Sequence, residues 1–288
     1  MKSIFLQPGE GERITGDDEL GVTLLADVAP IAITDIRSKP GMGSSQLHFH
    51  AEHADCFFVR EGELTIRLED RELQAGPDTW VYVPPDVVHG FAPTGDGRTR
   101  FLNLHVPSSS FGDYIRGLYS AASEEELQAV RTAFDQQPAP EYGGADPGSV
   151  LVRTRATAET VEVSGNRIAF LADAEETNDA FGAIEFTAPH AFAGPPPHVH
   201  RELLDAVVVL EGTLEVTLGD EMHTAGSGAF VLAPPGVAHT FSNPRDEPLR
   251  LLNLYVPGGF EQFFRERAAV SDPEVASEIT SRYDWTRA

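Results

Sequence analysis

The sequence predicts an all-β chain built from two similar domains, with a few peripheral α-helices. Three observations predict it: an internal duplication, short apolar runs bounded by turn residues, and an abundance of Gly and Pro. The 288 residues include 26 Gly and 21 Pro and are 41% hydrophobic. This length and composition suffice for two domains of ordinary size, each with its own core.

The duplication appears when the chain is shifted by 150 residues against itself. The shift places seven pairs in register: His48 on His198, His50 on His200, Asp55 on Asp205, Gly62 on Gly212, Pro84 on Pro234, His89 on His239 and Asn103 on Asn253. Upstream, LLAD matches FLAD at a smaller offset, so the second copy carries about four extra residues near 175–178. A repeat of this length indicates duplication of a whole domain.

Four residues in each copy have a spacing typical of metal ligands. His198 and His200 stand two apart in an extended segment, and residues i and i+2 of a strand face the same side. Asp205 and His239, on later strands, would complete three nitrogens and one oxygen, a set that suits Fe(II), Mn(II), Ni(II), Co(II) or Zn(II). The first copy repeats the set with His48, His50, Asp55 and His89.

These residues resemble the two motifs of the cupin family, G-x5-H-x-H-x3or4-E-x6-G and G-x5-P-x-G-x2-H-x3-N. The second copy has a complete second motif: Gly228, Pro234, Gly236, His239 and Asn243. In the first copy Asp78, Asp86 and Pro93 replace Gly, Gly and Asn, which indicates a different turn. The resemblance implies a bicupin, with two tandem double-stranded β-helix, jelly-roll-like barrels.

Both copies depart from the family by having Asp where it usually has Glu. Because Asp is one methylene shorter, the strand must approach more closely, a water must bridge, or the carboxylate must leave the metal. Glu52 and Glu202 also repeat at the same offset; we interpret them as solvated loop charges, with a longer carboxylate ligand or base as the alternative. Four histidines without a counterpart are interpreted as surface residues or neighbours of a site: His53, His105, His190 and His223.

We predict three segments along the chain: an N-terminal cupin barrel with trailing helices at 1–137, a Pro/Gly-rich linker at 138–149, and a C-terminal barrel with C-terminal helices at 150–288. Residues 1–30 are expected to form a strand-rich arm that packs across a neighbouring barrel or protomer. The strands of the first barrel are predicted at IAITDI, QLHFH, CFFVREGELTIRL, WVYVPP and RFLNLHV.

Helices are predicted after each barrel. In the first, Ser123 precedes Glu126 by three residues, which is typical of a capped helix start, and Pro138 ends the helix. In the second, Asp272 is expected to cap a helix that has Pro273 at its first position.

The segments CFFV and AVVVL are apolar on both faces, which predicts strands covered on both faces. We interpret their outer faces as a contact between the two barrels or between protomers, so a homodimer is plausible. Cys56 lies on that face and is interpreted as a small buried hydrophobe.

Composition disfavours several classes of partner. The net charge of -24 repels nucleic acid and anionic lipid headgroups. The chain has a single cysteine, an N-terminus without an apolar targeting region, and no run of about 18 apolar residues. We therefore expect a cytoplasmic protein that binds neither nucleic acid nor membranes.

The residues near each site are mostly apolar and aromatic, and few Lys or Arg lie within the motifs. This disfavours a strongly anionic substrate such as a phosphosugar and favours a hydroxylated aromatic that can chelate a metal. Bicupins of this kind resemble quercetin 2,3-dioxygenase-like enzymes. The resemblance implies a dioxygenase in which Asp55 or Asp205 takes the hydroxyl proton of the substrate.

Two other function classes remain open. A non-catalytic cupin that binds a metal or a small molecule is favoured if protein groups fill the whole coordination sphere. A metal-dependent isomerase or hydrolase is favoured by zinc, whereas iron, copper, manganese or nickel favours oxygen chemistry. Up to two divalent ions per chain are expected, and a storage role is the least favoured.

Overall fold

The computed structural model describes residues 1–139 and 144–288. The chain divides into an N-terminal unit, Gly11–Ala156, and a C-terminal unit that combines Met1–Glu10 with Thr157–Ala288. The prediction of a mainly β chain with two tandem domains and a few helices is confirmed. Residues 140–143, within the predicted linker, lie outside the described residues.

The first strand of the chain, β1 (Ile4–Leu6), belongs to the C-terminal unit. The elements of the N-terminal unit follow: β2 (Glu12–Gly16), β3 (Gly21–Val28), β4 (Ile31–Ser38), β5 (His48–Phe49), β6 (Ala54–Glu61), β7 (Glu63–Leu68), β8 (Glu72–Ala75), β9 (Thr79–Val83), β10 (His89–Thr94), β11 (Thr99–Val106), α1 (Phe111–Ser120), α2 (Glu124–Ala133), β12 (Gln137–Pro138), a 3-10 turn (Pro147–Ser149) and β13 (Leu151–Thr154).

Two antiparallel sheets build this unit. One has seven strands in the order β13-β9-β6-β11-β4-β3-β2, and the other has five in the order β12-β5-β10-β7-β8. Phe57 and Val59 on β6 share one buried cluster with Leu64 and Ile66 on β7, so the core lies between the sheets. Cys56 and Phe58, which alternate with these residues along β6 and point to its other face, are also fully buried, as expected for a strand covered on both faces.

The C-terminal unit repeats this arrangement. Its remaining elements are β14 (Thr160–Val163), β15 (Asn166–Ala172), α3 (Ala174–Thr177), β16 (Gly182–Ala188), β17 (His198–Val199), β18 (Leu204–Glu211), β19 (Leu214–Leu218), β20 (Glu221–Ala225), β21 (Phe230–Ala233), β22 (His239–Ser242), β23 (Leu249–Val256), α4 (Glu261–Ala268), α5 (Pro273–Arg282) and β24 (Thr286–Arg287). The sheet orders are β1-β21-β18-β23-β16-β15-β14 and β20-β19-β22-β17-β24.

Two strands belong to a unit other than the one that chain order suggests. β1 pairs with β21, and its Phe5 packs against the core of the C-terminal unit. β13, which the predicted boundaries place in the second barrel, pairs with β9 of the N-terminal unit. In each case the strand covers an edge that would otherwise expose unpaired backbone groups.

The predicted helix starts are observed. Ser123 accepts a hydrogen bond from the Glu126 amide at 3.2 Å, and Asp272 accepts one from the Glu274 amide at 2.8 Å ahead of Pro273. No helix in residues 1–139 and 144–288 is both long and apolar enough to cross a membrane.

Two candidate metal centres

The histidines of each candidate site come from two neighbouring strands of the five-stranded sheet. On β5, His48 lies directly across from His89 of β10, and on β17, His198 lies across from His239 of β22. The second histidine of each pair follows the strand by one residue. The aspartates come from the other sheet, on β6 and β18, so each site lies where the two sheets face each other.

In the N-terminal site all four predicted residues come together. The ligand atoms of His48, His50, Asp55 and His89 lie within 4.8 Å of one another, and all four side chains are buried. Asp55 Oδ2 lies 3.2 Å from His89 Nε2 and 3.9 Å from His50 Nε2. The shorter carboxylate therefore reaches the histidines directly.

In the C-terminal site the three histidines converge, with the ligand atoms of His198, His200 and His239 within 4.8 Å of one another. Asp205 lies at the edge of this group. Its Oδ2 is 3.5 Å from His239 Nε2, and its side chain is 12% exposed compared with 3% for Asp55. The two sites therefore differ in how closely the aspartate approaches.

All six site histidines use Nδ1 to bind a backbone carbonyl. The partners are Gln46 for His48 at 2.8 Å, Asp135 for His50 at 2.9 Å, Val87 for His89 at 2.9 Å, Pro196 for His198 at 3.0 Å, Asp284 for His200, and Val237 for His239 at 3.0 Å. A carbonyl oxygen only accepts, so Nδ1 carries the hydrogen and Nε2 presents its lone pair to the site.

In this tautomer the Nε2 atoms can only accept hydrogen bonds, and they face other groups that can only accept. Among the described residues, the Nε2 atoms of His50, His200 and His239 are buried without a hydrogen-bond partner. The carboxylate of Asp55 faces His89 Nε2, although both atoms have lone pairs when the imidazole is neutral. A proton or a cation between them relieves this arrangement, so the donor set fits a metal ion.

Burial keeps most of these imidazoles neutral. Desolvation, reinforced by the neighbouring His89, lowers the pKa of His48 to about 4, and desolvation with His239 lowers that of His198 to about 4. For His239, desolvation is outweighed by the attraction of the Asp205 carboxylate, whose Oδ2 lies 3.5 Å from Nε2, so the pKa of His239 is raised. Neutral imidazole is the form that binds metals.

Both aspartates are ionised at neutral pH. Burial raises the pKa of Asp55, but His105 and His89 outweigh it, so the pKa lies below its ordinary value. Burial also raises the pKa of Asp205, but the neighbouring His239, 3.5 Å away, outweighs it, so the pKa of Asp205 is lowered as well.

A repeated asparagine holds each aspartate, a role not assigned from the sequence. Asn253 Nδ2 donates to Asp205 Oδ1 at 2.5 Å, and Asn103 Nδ2 donates to Asp55 Oδ1. Each asparagine Oδ1 accepts in turn, from the Tyr255 hydroxyl at 3.1 Å or from His105 Nε2 at 3.2 Å. Their recurrence at the offset of 150 residues was the available signal.

A second pair of supporting residues, Asp135 and Asp284, was not predicted from the sequence. The Asp284 carboxylate accepts from the amides of Arg201, Glu202 and Leu203, at 2.7 to 2.9 Å, in the loop that follows His200. Asp135 accepts in the same way from the amides of residues 51 and 52. β12 and β24, which follow these aspartates, pair with β5 and β17.

The expectation of a different turn in the first copy is wrong. Asp86 has φ 65° where Gly236 has φ 83°, and the amide of each donates to the carbonyl of the second site histidine at 2.7 Å. Asp78, with φ 59°, likewise replaces Gly228. Asp tolerates the left-handed region better than most residues, so the turn survives the loss of glycine.

Comparison of the sequence with known protein families identifies the family of this chain. Residues 35–105 and 185–255 each match the cupin domain. The chain belongs to the cupin superfamily. Its two matched segments contain all the candidate ligands, and its two-domain form makes it a bicupin.

Part of this bicupin is similar in sequence to a known enzyme. A stretch of 104 residues is 27% identical to quercetin 2,3-dioxygenase of Bacillus subtilis (strain 168), and it covers 35% of this chain and 31% of that protein. The match therefore spans about a third of that relative.

Solved structures show the same fold at low identity. Oxalate decarboxylase from Lactobacillus farciminis, as a formate complex, is 13% identical with a TM-score of 0.62, over 96% of this chain and 93% of that chain. Procruciferin, an 11S globulin from Brassica napus, is 11% identical with a TM-score of 0.60, over 89% and 84%. Enzymes and a globulin share this fold, so function must be argued from the sites.

The cavities above the two bicupin sites differ in chemistry. The N-terminal cavity has a volume of about 490 Å³, and its lining combines apolar and aromatic residues with polar side chains such as Arg67, Gln128, Arg131 and Gln136. The C-terminal cavity has a volume of about 350 Å³ and is mainly aromatic. Its rings come from Phe186, Phe192, Phe241, Tyr255, Phe260, Phe263, Phe264 and Trp285.

The remaining candidates occupy distinct places. His53 and His105 are buried beside the N-terminal site: His53 Nδ1 lies 3.2 Å from Asp135 Oδ2, and the His105 ring stacks on Phe111 at 3.6 Å. His190 is exposed, and His223 stacks on Phe5 at 4.2 Å. Glu52 and Glu202 are exposed, which agrees with solvated loop charges.

Proposed function

We propose that this bicupin is a metal-dependent dioxygenase that acts on a hydroxylated aromatic small molecule in its C-terminal unit. One observation carries the proposal: three histidine Nε2 atoms converge at a cavity that is lined mainly by aromatic rings. Metal ligands suit the oxygens of a catechol or flavonol, and the rings suit its planar carbon skeleton.

His198, His200 and His239 would hold the metal, with Asp205 beside them. His48, His50, Asp55 and His89 would hold a second ion in the N-terminal unit. Any of Fe, Mn, Ni, Co, Cu and Zn is compatible with these donors. When bound, a redox-active ion would polarise the hydroxyl oxygens of a chelating ligand and support its reaction with dioxygen.

Asp205 is proposed as the group that takes the hydroxyl proton. Asn253 occupies its Oδ1, and Oδ2 remains directed toward the histidines at 3.5 Å from His239. Its lowered pKa keeps the carboxylate ionised and able to accept a proton at neutral pH. Asp55 has the corresponding partners in the N-terminal unit, Asn103 and His89. The cavity there has more polar side chains than the C-terminal cavity, which favours Asp205 as the base for an aromatic substrate.

The relative from Bacillus subtilis supports this choice of reaction over others. It is a quercetin 2,3-dioxygenase, and its likeness to a third of this chain is the basis for testing flavonols first. Oxalate decarboxylase contributes only the shared fold, because its identity is 13%.

The test is oxygen consumption with flavonols and catechols, by protein loaded in turn with each metal. We expect turnover with at least one redox-active ion and none with zinc. The variant His200→Ala should lose at least about 100-fold in rate because it removes a ligand of the reacting metal, whereas His50→Ala, the matched change in the other unit, should keep most of the rate.

Two outcomes would redirect the proposal. Metal bound at both sites without oxygen uptake on any compound would favour a non-catalytic binding cupin. Conversion of a compound in the absence of oxygen would favour the isomerase or hydrolase class.

A second function is favoured for the N-terminal site alone. Its four donors lie within 4.8 Å of one another and are all buried, so they would fully coordinate a tetrahedral ion. We propose that this site holds a structural metal. His50→Ala should then lower thermal stability more than it lowers the rate.

A further inference from the structure

The C-terminal cavity has two polar groups that the described residues leave unpaired. Arg267 Nη1 and Asn166 Oδ1 are buried, belong to residues that line this cavity, and have no hydrogen-bond partner. The other end of the Asn166 amide is already held, because Nδ2 donates to the Val163 carbonyl at 3.0 Å. A buried donor and a buried acceptor without partners are costly, so a ligand that pairs with both is stabilised.

The charge of Arg267 narrows the kind of ligand that would pair with it. Among the described residues that line the cavity, Arg267 and Asp205 carry the permanent charges, and Asp205 is held by Asn253 and His239. The guanidinium therefore has no carboxylate of its own within the cavity. In an apolar surrounding such a group attracts an anion more strongly than in water, and its planar fork matches a carboxylate.

The other copy shows that the fold does not require this arginine. Aligning Phe111, the first residue of α1, with Phe260, the residue before α4, places Leu118 at the position of Arg267. Leu118 lines the N-terminal cavity. The same helical position therefore accepts an apolar residue. The arginine at 267 is better explained by what the cavity binds than by packing of the helix.

Aromatic rings of the cavity lie next to the histidines. Trp285 stacks on His198 with ring centroids 5.4 Å apart and planes 20° apart. Phe192 and Phe241 lie 5.9 Å apart in the same cavity. An aromatic ligand bound to the metal through its hydroxyl groups would lie among these rings, within the cavity that Arg267 also lines.

We infer that the C-terminal cavity binds a planar aromatic ligand that carries a carboxylate, with Arg267 as its anchor. This inference rests on the proposed function, which places the hydroxyl groups at the histidines, and it adds a carboxylate on the ligand as a second point of attachment. Asn166 Oδ1 accepts a hydrogen bond from a neighbouring donor on the ligand. The expectation from sequence that cations are scarce at the sites was incomplete, because Arg267 comes from α4, outside both motifs.

The test uses the full chain loaded with zinc, so that ligands bind without turnover. The probes are 3,4-dihydroxybenzoate and 3,4-dihydroxycinnamate, each compared with its methyl ester, and binding is followed by quenching of Trp285 fluorescence. The variant Trp285→Phe removes this signal and separates it from Trp80. We expect at least one acid to bind about tenfold or more tightly than its ester.

Arg267→Leu should abolish this preference by weakening binding of the acid far more than binding of the ester. Leu is chosen because it is the residue at the matching position of the other copy. Arg245→Leu makes the same change of charge at an exposed site of the same unit and should keep the preference. If Arg267→Leu does not fold, Arg267→Gln, which removes the charge but keeps a polar end, is read in the same way.

The outcomes distinguish failure of the carboxylate inference from failure of the proposed function. Ester binding without any preference for the acid, or a preference that survives Arg267→Leu, overturns the inference and leaves the proposed function standing. Failure of every acid and every ester to bind overturns both.

Discussion

The Nδ1 atoms of the six site histidines are all directed at backbone carbonyls, and this has a chemical consequence. Each ring is fixed in the tautomer that presents Nε2, and each ring is oriented by a backbone carbonyl rather than by another side chain. Metal binding therefore requires little reorganisation of the imidazoles.

The lowered pKa values predict how the metal-free protein responds to acid. His48 and His198 have ordinary values near 6.5 that burial lowers to about 4, so between these values the unfolded chain binds protons that the folded chain does not. The free energy of unfolding should fall as the pH falls from about 6.5 to about 4.5, by on the order of 2 to 3 kcal/mol for His48. His239, whose pKa is raised, takes up its proton above this pH range and therefore contributes little to the slope within it.

Urea unfolding at several pH values measures this dependence. His48→Gln should flatten the curve, whereas His190→Gln, a change at an exposed histidine, should leave it as in the wild type. A free energy of unfolding that is constant from pH 6.5 to 4.5 would show that burial does not hold these imidazoles neutral.

At the residue scale, the sequence could predict which side chains converge but not how closely. Strand parity and the duplication identified four residues for each site. They did not distinguish Asp55, which lies within the histidine group, from Asp205, which lies at its edge. That difference depends on the separation of two sheets, which no local pattern encodes.

At the scale of elements, the segment after the last helix of each unit supports the site. Asp284 lies between α5 and β24, and its carboxylate binds three consecutive amides in the loop after His200. Its carbonyl accepts from His200 Nδ1. One residue therefore fixes both the loop and the ring.

Removing this carboxylate should weaken one site selectively. Asp284→Ala is expected to lower metal affinity of the C-terminal site by about 10- to 100-fold, the range typical of groups that orient a ligand. Asp284→Asn, which keeps an acceptor oxygen, should recover part of the loss. The affinity of each site is measured by competition with a chelator, separately for each metal.

Asp135→Ala is the matched control, because Asp135 supports His50 in the other unit. It should weaken the N-terminal site and spare the C-terminal one. Equal loss from both sites in either variant would mean that the segment acts through general stability.

The helices α2 and α5 were predicted from capping residues, but the strands β12 and β24 were not. Each has two residues, which is too short for an alternating pattern, and β12 falls at the start of the predicted linker. The partner strands of β1 and β13 were not predicted for a similar reason, since a strand of three or four residues does not reveal its partner.

At the scale of the whole molecule, duplication has kept two ligand sets while the cavities have diverged. His105, Leu118 and Gln136 of the N-terminal cavity correspond to Tyr255, Arg267 and Trp285 of the C-terminal one. The two-domain architecture was predictable because the repeat is long and in register. The divergence was not, since most of these residues lie outside the motifs.

The central claim is that each unit of this chain holds a metal, and its most direct test is metal content per chain by plasma mass spectrometry. The protein is purified without a nickel column or chelator, as wild type, His200→Ala and His50→Ala. We predict about two equivalents in the wild type and the loss of about one in each variant, one for each histidine group. Absence of metal from all samples, with none recovered on adding divalent ions, would contradict the account and leave the histidines with a structural role.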